Sequence, residues 1–379
     1  MSAVYAHLSD VQRELLSRSE TLAREVLAPI ARAGEPGKVN RELVSALAAH
    51  GLLPLVLDRH RAVPAVELCL IREGLARVST EAETAFALQG LGAHPMLAAG
   101  RPEVVDAWIP RVAAGQAVAA IALTEPGAGS DVASLSLSAD RDGDGYRLSG
   151  EKVFISNAPE ADIYSVFART TQGAGARGIT AFAVPRDSAG LSGEATPLIA
   201  DHPIGSLAFD AVFVPATHVL GDVDRGFGVA MRTLDLFRPS VGACAVGMAQ
   251  AALDTAVAHA AQRTAFGQPL SAFQGLTHQL AAVATRVQAA RVLVHSAASA
   301  YDAGVTPITA LAAMAKLFAT ETAQFAVDVA IQVCGARALE RGHILEHLYR
   351  EVRGTRIYEG ASEIQREIIA RQLFREHAI

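Results

Sequence analysis

At 379 residues, with about 150 per domain as a guide, the chain has length for two or three domains, and 51% hydrophobic against 19% charged residues excludes disorder as its overall state. A formal net charge of −6 without a dense Lys/Arg run argues against nucleic acid or a membrane as the main partner and for a small ligand. Cys69, Cys244 and Cys334 lie far apart in apolar or small-residue surroundings, which excludes a disulfide framework or a CxxC metal site and reads as buried thiols in a reducing compartment.

Met1 to His7 show no basic stretch followed by an apolar block, and no run of about 18 consecutive apolar residues occurs, so a cytoplasmic protein without a membrane helix is expected. From Leu8 to about Ala119 apolar residues recur three and four apart, with Pro29, Gly51, Pro54, Pro64, Gly100 and Pro102 at the joints, which predicts helices. Near Ala119 the period becomes two. Leu135 and Leu137, alternating with serines, form the cleanest strand pattern, and strands are also expected in 117–123, 145–156, 162–168, 179–184 and 206–220. After Gly226 the helical period returns and holds to the end, as in Leu276, Leu280, Val283, Val287, Ala290, Val294, Ala297 and Tyr301. The Ala- and Gly-rich faces there suggest close helix packing and burial in an oligomer. The expected order is helical 1–118, β 119–225 and helical 226–379, an α+β protein.

Gly173 to Gly178 matches GxGxxG, yet the following Ile179 to Val184 reads as a strand, so a hairpin loop is expected rather than a nucleotide turn. No GxxxxGK[ST], HExxH or GxSxG string is present, which removes the usual carriers of phosphoryl transfer, zinc proteolysis and α/β-hydrolase chemistry. Leu123 to Asp131 (LTEPGAGSD) is either a tight Gly-rich turn or a loop whose small residues let backbone amides converge on an anion, with Ser130 adding a hydroxyl. Read together with 152–158 (KVFISNA), 263–270 (RTAFGQPL), Phe273-Gln274 and 357–365 (IYEGASEIQ), this loop falls into an order and spacing that resembles the acyl-CoA dehydrogenase family over nearly the whole chain.

The resemblance implies an N-terminal α-helical domain, a middle β domain and a C-terminal four-helix bundle, with FAD as cofactor. It implies that Leu123 and Thr124 bond the flavin ring, that Gly129 and Ser130 hold the pyrophosphate, and that Phe154 and Ser156 border the isoalloxazine. It further implies that Arg263, Phe266, Gln274, Gln332 and Gly335 reach the cofactor of a neighbouring subunit, in a homo-oligomer that is a dimer of dimers. An Arg suits that place, since its fork matches phosphate oxygens. Glu359 falls where the family's general base sits, beside Ile357 and Tyr358. Taking a proton alpha to a thioester needs a base with a pKa near working pH, and burial beside an acyl chain raises a carboxylate toward it. The family's alternative base precedes an Arg matching Arg238, and here that position is Phe237. Ser130, Arg238, Tyr358 and Gly360 are the expected substrate contacts.

The implied reaction removes the alpha proton through Glu359 as hydride leaves the beta carbon for flavin N5, giving a trans-2-enoyl-CoA, with an electron-transferring flavoprotein as acceptor. Phe154 stands where the family usually has Trp, Ser156 where it has Thr, and Gly335-Ala336 where it has Gly-Gly; 55–66 lacks a typical loop. These departures point to a specialised substrate, short, branched or cyclic, or one carried on acyl carrier protein. Gln89 and His94, near the acyl pocket by resemblance, read as structural, and His343 and His347 as surface residues. A same-fold flavin oxidase and a catalytically silent scaffold are the competing readings.

Overall fold

The structure, a computed structural model, describes Tyr5 and residues 7–377, so most of the N-terminal stretch read for a leader lies outside the described residues. Seven helices come first: α1 (Asp10–Leu22), α2 (Ala28–Ala33), α3 (Arg41–Ala49), α4 (Leu52–Val56), α5 (Ala65–Ala76), α6 (Thr80–Ala99) and α7 (Pro102–Ala113). Eight strands follow: β1 (Ala119–Ala122), β2 (Ser138–Asp142), β3 (Gly145–Ser156), β4 (Ile163–Arg169), β5 (Ile179–Pro185), β6 (Leu191–Ala195), β7 (Ile204–Pro215) and β8 (Val219–Leu220). The chain ends in α8 (Gly226–Gln262), a small hairpin of β9 (Thr264–Ala265) and β10 (Gln268–Pro269), then α9 (Gln274–Asp302), α10 (Thr309–Cys334), α11 (Ile344–Thr355) and α12 (Ser362–His377). Two compact units result. The sheet unit comprises Pro29–Val63 and Thr84–Leu234, and the helical unit the described residues of Met1–Ala28, Pro64–Glu83 and Asp235–Ile379.

In the sheet unit the strands run in the order β6-β7-β3-β2-β4-β5-β8, with β1 parallel to β4. Tyr146, Leu148, Tyr164, Val166, Phe182, Leu207, Phe209 and Val212 fill its core, buried residues alternating along β7 while β4 and β5 are buried on both faces. Asp142 pairs with Gly145 across a two-residue turn, and Gly173 to Gly178 joins antiparallel β4 and β5 as a hairpin loop, so GxGxxG leads into a strand.

Leu135 and Leu137 are buried as their alternation predicts, but they lie outside any ladder. One backbone bond, Arg169 N to Leu137 O at 2.7 Å, joins this extended segment to β4, and side chains satisfy much of the rest. The Glu125 carboxylate accepts the Ser136 and Leu137 N–H groups, and Arg169 Nε donates to the Leu135 carbonyl at 2.8 Å. Backbone groups buried away from water must pair with something, and here most of the partners are ionic. Gln89 is buried and spans the entry to β1, donating to Ala117 O (2.9 Å) and accepting from Ala119 N (2.8 Å). His94 bonds Thr233 Oγ1 at 3.0 Å, and burial lowers its pKa to about 4, so it stays neutral. Both are structural, as the sequence suggested.

In the helical unit, α10 packs against α9, α11 and α12 through Ala312, Ala315, Ala319, Ala323 and Ala326, small residues that permit close approach. A Cβ at Gly242 of α8 would meet Val294 Cγ2 of α9 at 2.7 Å. The α9 stripe is buried from Val283 to Ala297, while Leu276 and Leu280 remain half-buried. Asp302, at the end of α9, accepts the Ala65 and Val66 N–H groups (2.7 and 3.0 Å) and so caps α5, whose own N-cap is a proline. By length and composition α8 alone among the described helices suits a membrane crossing, but 67% of its apolar window is buried inside the protein, as in a core helix. All three cysteines are free and buried. His343 and His347 depart from the surface reading: both are half-buried, His343 accepting Leu345 N at the start of α11 and His347 bonding Thr80 at 2.6 Å.

Candidate active site

The Gly-rich segment Leu123–Asp131 is built outward from Glu125, a buried residue of the sheet unit. Glu125 Oε1 accepts from Lys152 Nζ (2.7 Å) and Leu137 N (3.0 Å), and Oε2 from Ser136 N (2.6 Å) and Ser136 Oγ (2.9 Å). Lys152 is fully buried on β3 and gives a second proton to Leu123 O at 2.9 Å. Burial pulls the lysine down to about 8 against the attraction of Glu125. Burial also works to raise Glu125, but Lys152 and the two backbone donors prevail and hold its carboxyl below the usual range. After this anchor the chain turns sharply, Glu125 and Ala128 exchanging both backbone bonds at 3.1 Å. Gly127, Gly129 and Ser130 are then exposed, and a Cβ at either glycine would meet nothing within 4 Å.

Val153 N donates to Thr124 O at 3.0 Å and sews β3 to this loop. Immediately beyond, the β3–β7 register slips between Lys152 and Ile155. Phe154 sits in the slip at φ 55 with 59% of its surface exposed. A bulge re-aims a side chain that a regular strand would fix, and a left-handed Phe costs on the order of 1–3 kcal/mol that its surroundings must hold. Ser156, half-buried, closes the strand. Open backbone at a glycine turn and a hydroxyl supply donors that suit a phosphate, and the outward aromatic ring supplies a face for a flavin's ring system.

In the helical unit, α11 ends at Thr355 and the chain reaches α12 through a turn carrying Tyr358, Glu359 and Gly360. Glu359 is left-handed (φ 53) and half-buried, and its Oε2 is buried without a hydrogen-bond partner. The turn is held through its backbone. Arg238 Nε reaches Glu359 O at 3.4 Å, Gln365 Nε2 reaches Glu359 O (3.3 Å) and Gly360 O (2.8 Å), and Lys316 Nζ donates to Gly360 O at 2.8 Å. Lys316 is fully buried on α10, and burial draws it down to about 8 while Glu359 opposes the shift. Burial raises the pKa of Glu359 above the ordinary carboxylate value, against the pull of Arg72, Lys316 and Arg238. Arg238 immediately precedes Pro239 inside α8 and pairs with Asp235 at 3.3 Å.

Gly360 has φ 98, a region L side chains rarely adopt, and a Cβ there would lie 2.4 Å from Gln365 Nε2. Gly360→Ala is expected to displace Gln365, cost about 1–3 kcal/mol of stability, and lower kcat well beyond any change in cofactor content. Stopped-flow reduction beside flavin quantitation checks this.

The structure gathers Leu123 and Thr124 with Phe154 in one unit, and Tyr358, Glu359 and Gly360 with Arg238 in the other. Arg263, Phe266, Gln274, Gln332 and Gly335 are exposed in the helical unit. Phe266, 95% exposed, occupies a two-residue hairpin with Gly267, both at positive φ, as the twist of such turns demands. Sequence reading quoted Glu125, Lys152 and Gln365 within their strings without a role of their own, and passed over Lys316 and the pair Arg72–Glu83. A signal existed for Lys316, the one charged residue between Asp302 and Glu321.

Three family models match in register: acyl-CoA dehydrogenase N-terminal domain at residues 9–116, middle domain at 120–212 and C-terminal domain at 224–374. The chain is 36% identical to cyclohexane-1-carbonyl-CoA dehydrogenase of Geobacter metallireducens, over 94% of this chain and 95% of that protein. It is 34% identical to a 3-(aryl)acrylate reductase of Clostridium sporogenes, over 96% and 99%. Butyryl-CoA dehydrogenase from Megasphaera elsdenii superposes with a TM-score of 0.91 at 31% identity, covering 97% of this chain and 99% of that one. The chain therefore belongs to the acyl-CoA dehydrogenase family, an oxidoreductase acting on acyl-CoA with FAD as its cofactor.

Proposed function

We propose that this enzyme dehydrogenates an acyl-CoA to the trans-2-enoyl-CoA, with Glu359 taking the alpha proton. The observation that carries this reading is the buried, unpartnered Oε2 of Glu359 on a strained turn. An oxygen the protein leaves without a donor is available to a carbon acid, and desolvation strengthens it as a base. FAD, when bound, supplies the acceptor for the hydride leaving the beta carbon. The Glu359 N–H is assigned to the thioester oxygen, where charge develops as the proton leaves. Arg238, Tyr358, Gly360 and Ser130 border the substrate. Leu123, Thr124, Phe154 and Ser156 serve the ring system, and Gly129 with Ser130 the pyrophosphate. Arg263, Phe266, Gln274, Gln332 and Gly335, being exposed, are assigned to the cofactor of a neighbouring subunit in a cytoplasmic dimer of dimers, with an electron-transferring flavoprotein as acceptor.

Similarity to a 3-(aryl)acrylate reductase favours a second reading, reduction of an enoyl thioester, in which the raised Glu359 returns the proton. Anaerobic mixing of the holoenzyme with saturated acyl-CoAs, acyl carrier protein thioesters and enoyl-CoAs separates these. Flavin bleaching by a saturated thioester is expected. Bleaching by none of them, with reoxidation of reduced enzyme by an enoyl-CoA, selects the reductase, and rapid peroxide release in air selects an oxidase.

A further inference from the structure

Proton abstraction by Glu359 leaves one nearby cluster unexplained. Arg72 on α5 and Glu83 in the first turn of α6 form an ion pair with both side chains 3% exposed. Arg72 Nη1 also donates to Ser240 Oγ at 2.7 Å, two residues beyond the Arg238 that holds the Glu359 carbonyl. Cys244, one turn further along α8, lies in the field of both charges, and Tyr358 and Glu359 act on Arg72 in turn. Nε and Nη1 of Arg72 are engaged, whereas no hydrogen bond engages Nη2 among the described residues.

A buried ion pair is commonly replaceable by well-packed apolar residues without loss of stability, and an apolar acyl chain would favour that replacement. Charge kept beside the base therefore points to the ligand. A second carboxylate on the acyl group would face Glu83 and Glu359, with Arg72 already neutralised, so a dicarboxylic monothioester is disfavoured by like charge. An uncharged oxygen avoids this repulsion and accepts from an N–H of Arg72 Nη2.

Resting on the assignment of Glu359 as base, we propose that the acyl group carries a hydroxyl or carbonyl oxygen beyond the reacting carbons and that Arg72 is the specificity residue that recognises it. The test uses FAD-loaded enzyme and acyl-CoAs of equal chain length of three kinds: unsubstituted, bearing a hydroxyl on the terminal carbon or a ketone on the carbon before it, and ending in a carboxyl. The oxygenated neutral substrate is expected to exceed the other two in kcat/KM by about tenfold or more, since a site built to hydrogen-bond a group rejects analogues lacking it. The double variant Arg72→Met with Glu83→Gln, which leaves no lone buried charge, is expected to collapse that ratio toward one. A wild-type preference for the unsubstituted or carboxylated substrate overturns the proposal whether or not the variant folds, as does a ratio unchanged in the variant. Glu359→Gln, run beside these, tests the underlying assignment separately: full turnover in that variant removes the base while leaving the substrate ranking readable.

Discussion

Replacing Glu359 by Gln is expected to lower turnover by about 100- to 10,000-fold, the range a positioned general base contributes, with FAD content and ligand binding retained. The amide keeps the volume and the left-handed turn, whose bonds to Arg238, Gln365 and Lys316 are all made to backbone carbonyls. In the wild type, kcat/KM should rise with pH and level off only above the ordinary carboxylate range, because burial raises the Glu359 pKa; in the variant that limb should vanish. Stability should move oppositely to activity. A carboxyl whose folded pKa exceeds its unfolded one binds its proton more tightly when folded, so it supports the fold at low pH and loses that support as pH rises through the folded value. The Gln variant is therefore expected to melt higher than the wild type at neutral pH, with the gap closing in acid. Rapid-mixing flavin reduction and thermal melts across pH decide both, and a variant retaining turnover within tenfold of wild type would falsify the assignment.

The second large effect is expected at Lys152. Removing one partner of a buried pair strands the other, at a cost of about 3–5 kcal/mol, and Lys152→Met strands a Glu125 whose side chain is 3% exposed. Glu125 also holds Ser136 and Leu137, so the loss should spread along the Gly-rich loop and appear as loss of flavin. Without the ammonium, desolvation would lift the Glu125 pKa above its unfolded value, reversing the wild-type sign. The deficit in Lys152→Met should then shrink as pH falls, whereas wild-type Glu125, held low, supports the fold above its unfolded pKa and loses that support in acid. Adding Glu125→Gln should recover part of the loss in urea melts. Equal deficits for the single and double variants would show that the pair is not what fixes the loop.

The strands at β3, β4 and β5 were legible because short apolar runs bounded by glycine turns agree with the long-range pairing, β4 and β5 being buried on both faces. Strand β6 was not, since Leu191–Ala195 is an edge segment with little buried and carries no apolar rhythm. The Leu135–Leu137 alternation reported burial faithfully but not a regular ladder, because Glu125 and the Arg169 guanidinium share that backbone with a single bond from the Arg169 N–H of β4. Glu359 was legible through its string of neighbours. Gln365 ends that same string, but Arg72, Glu83 and Lys316 were not legible, because they come from α5, α6 and α10, and no local spacing records that.

The bulge at Phe154 has a practical use. Because backbone geometry rather than side-chain packing directs that ring outward, an indole should take its place without refolding the strand. The protein has a single native tryptophan, Trp108, so Phe154→Trp with Trp108→Phe would create one emitter at the proposed flavin face. Its quenching would turn prosthetic-group loading into a fluorescence titration.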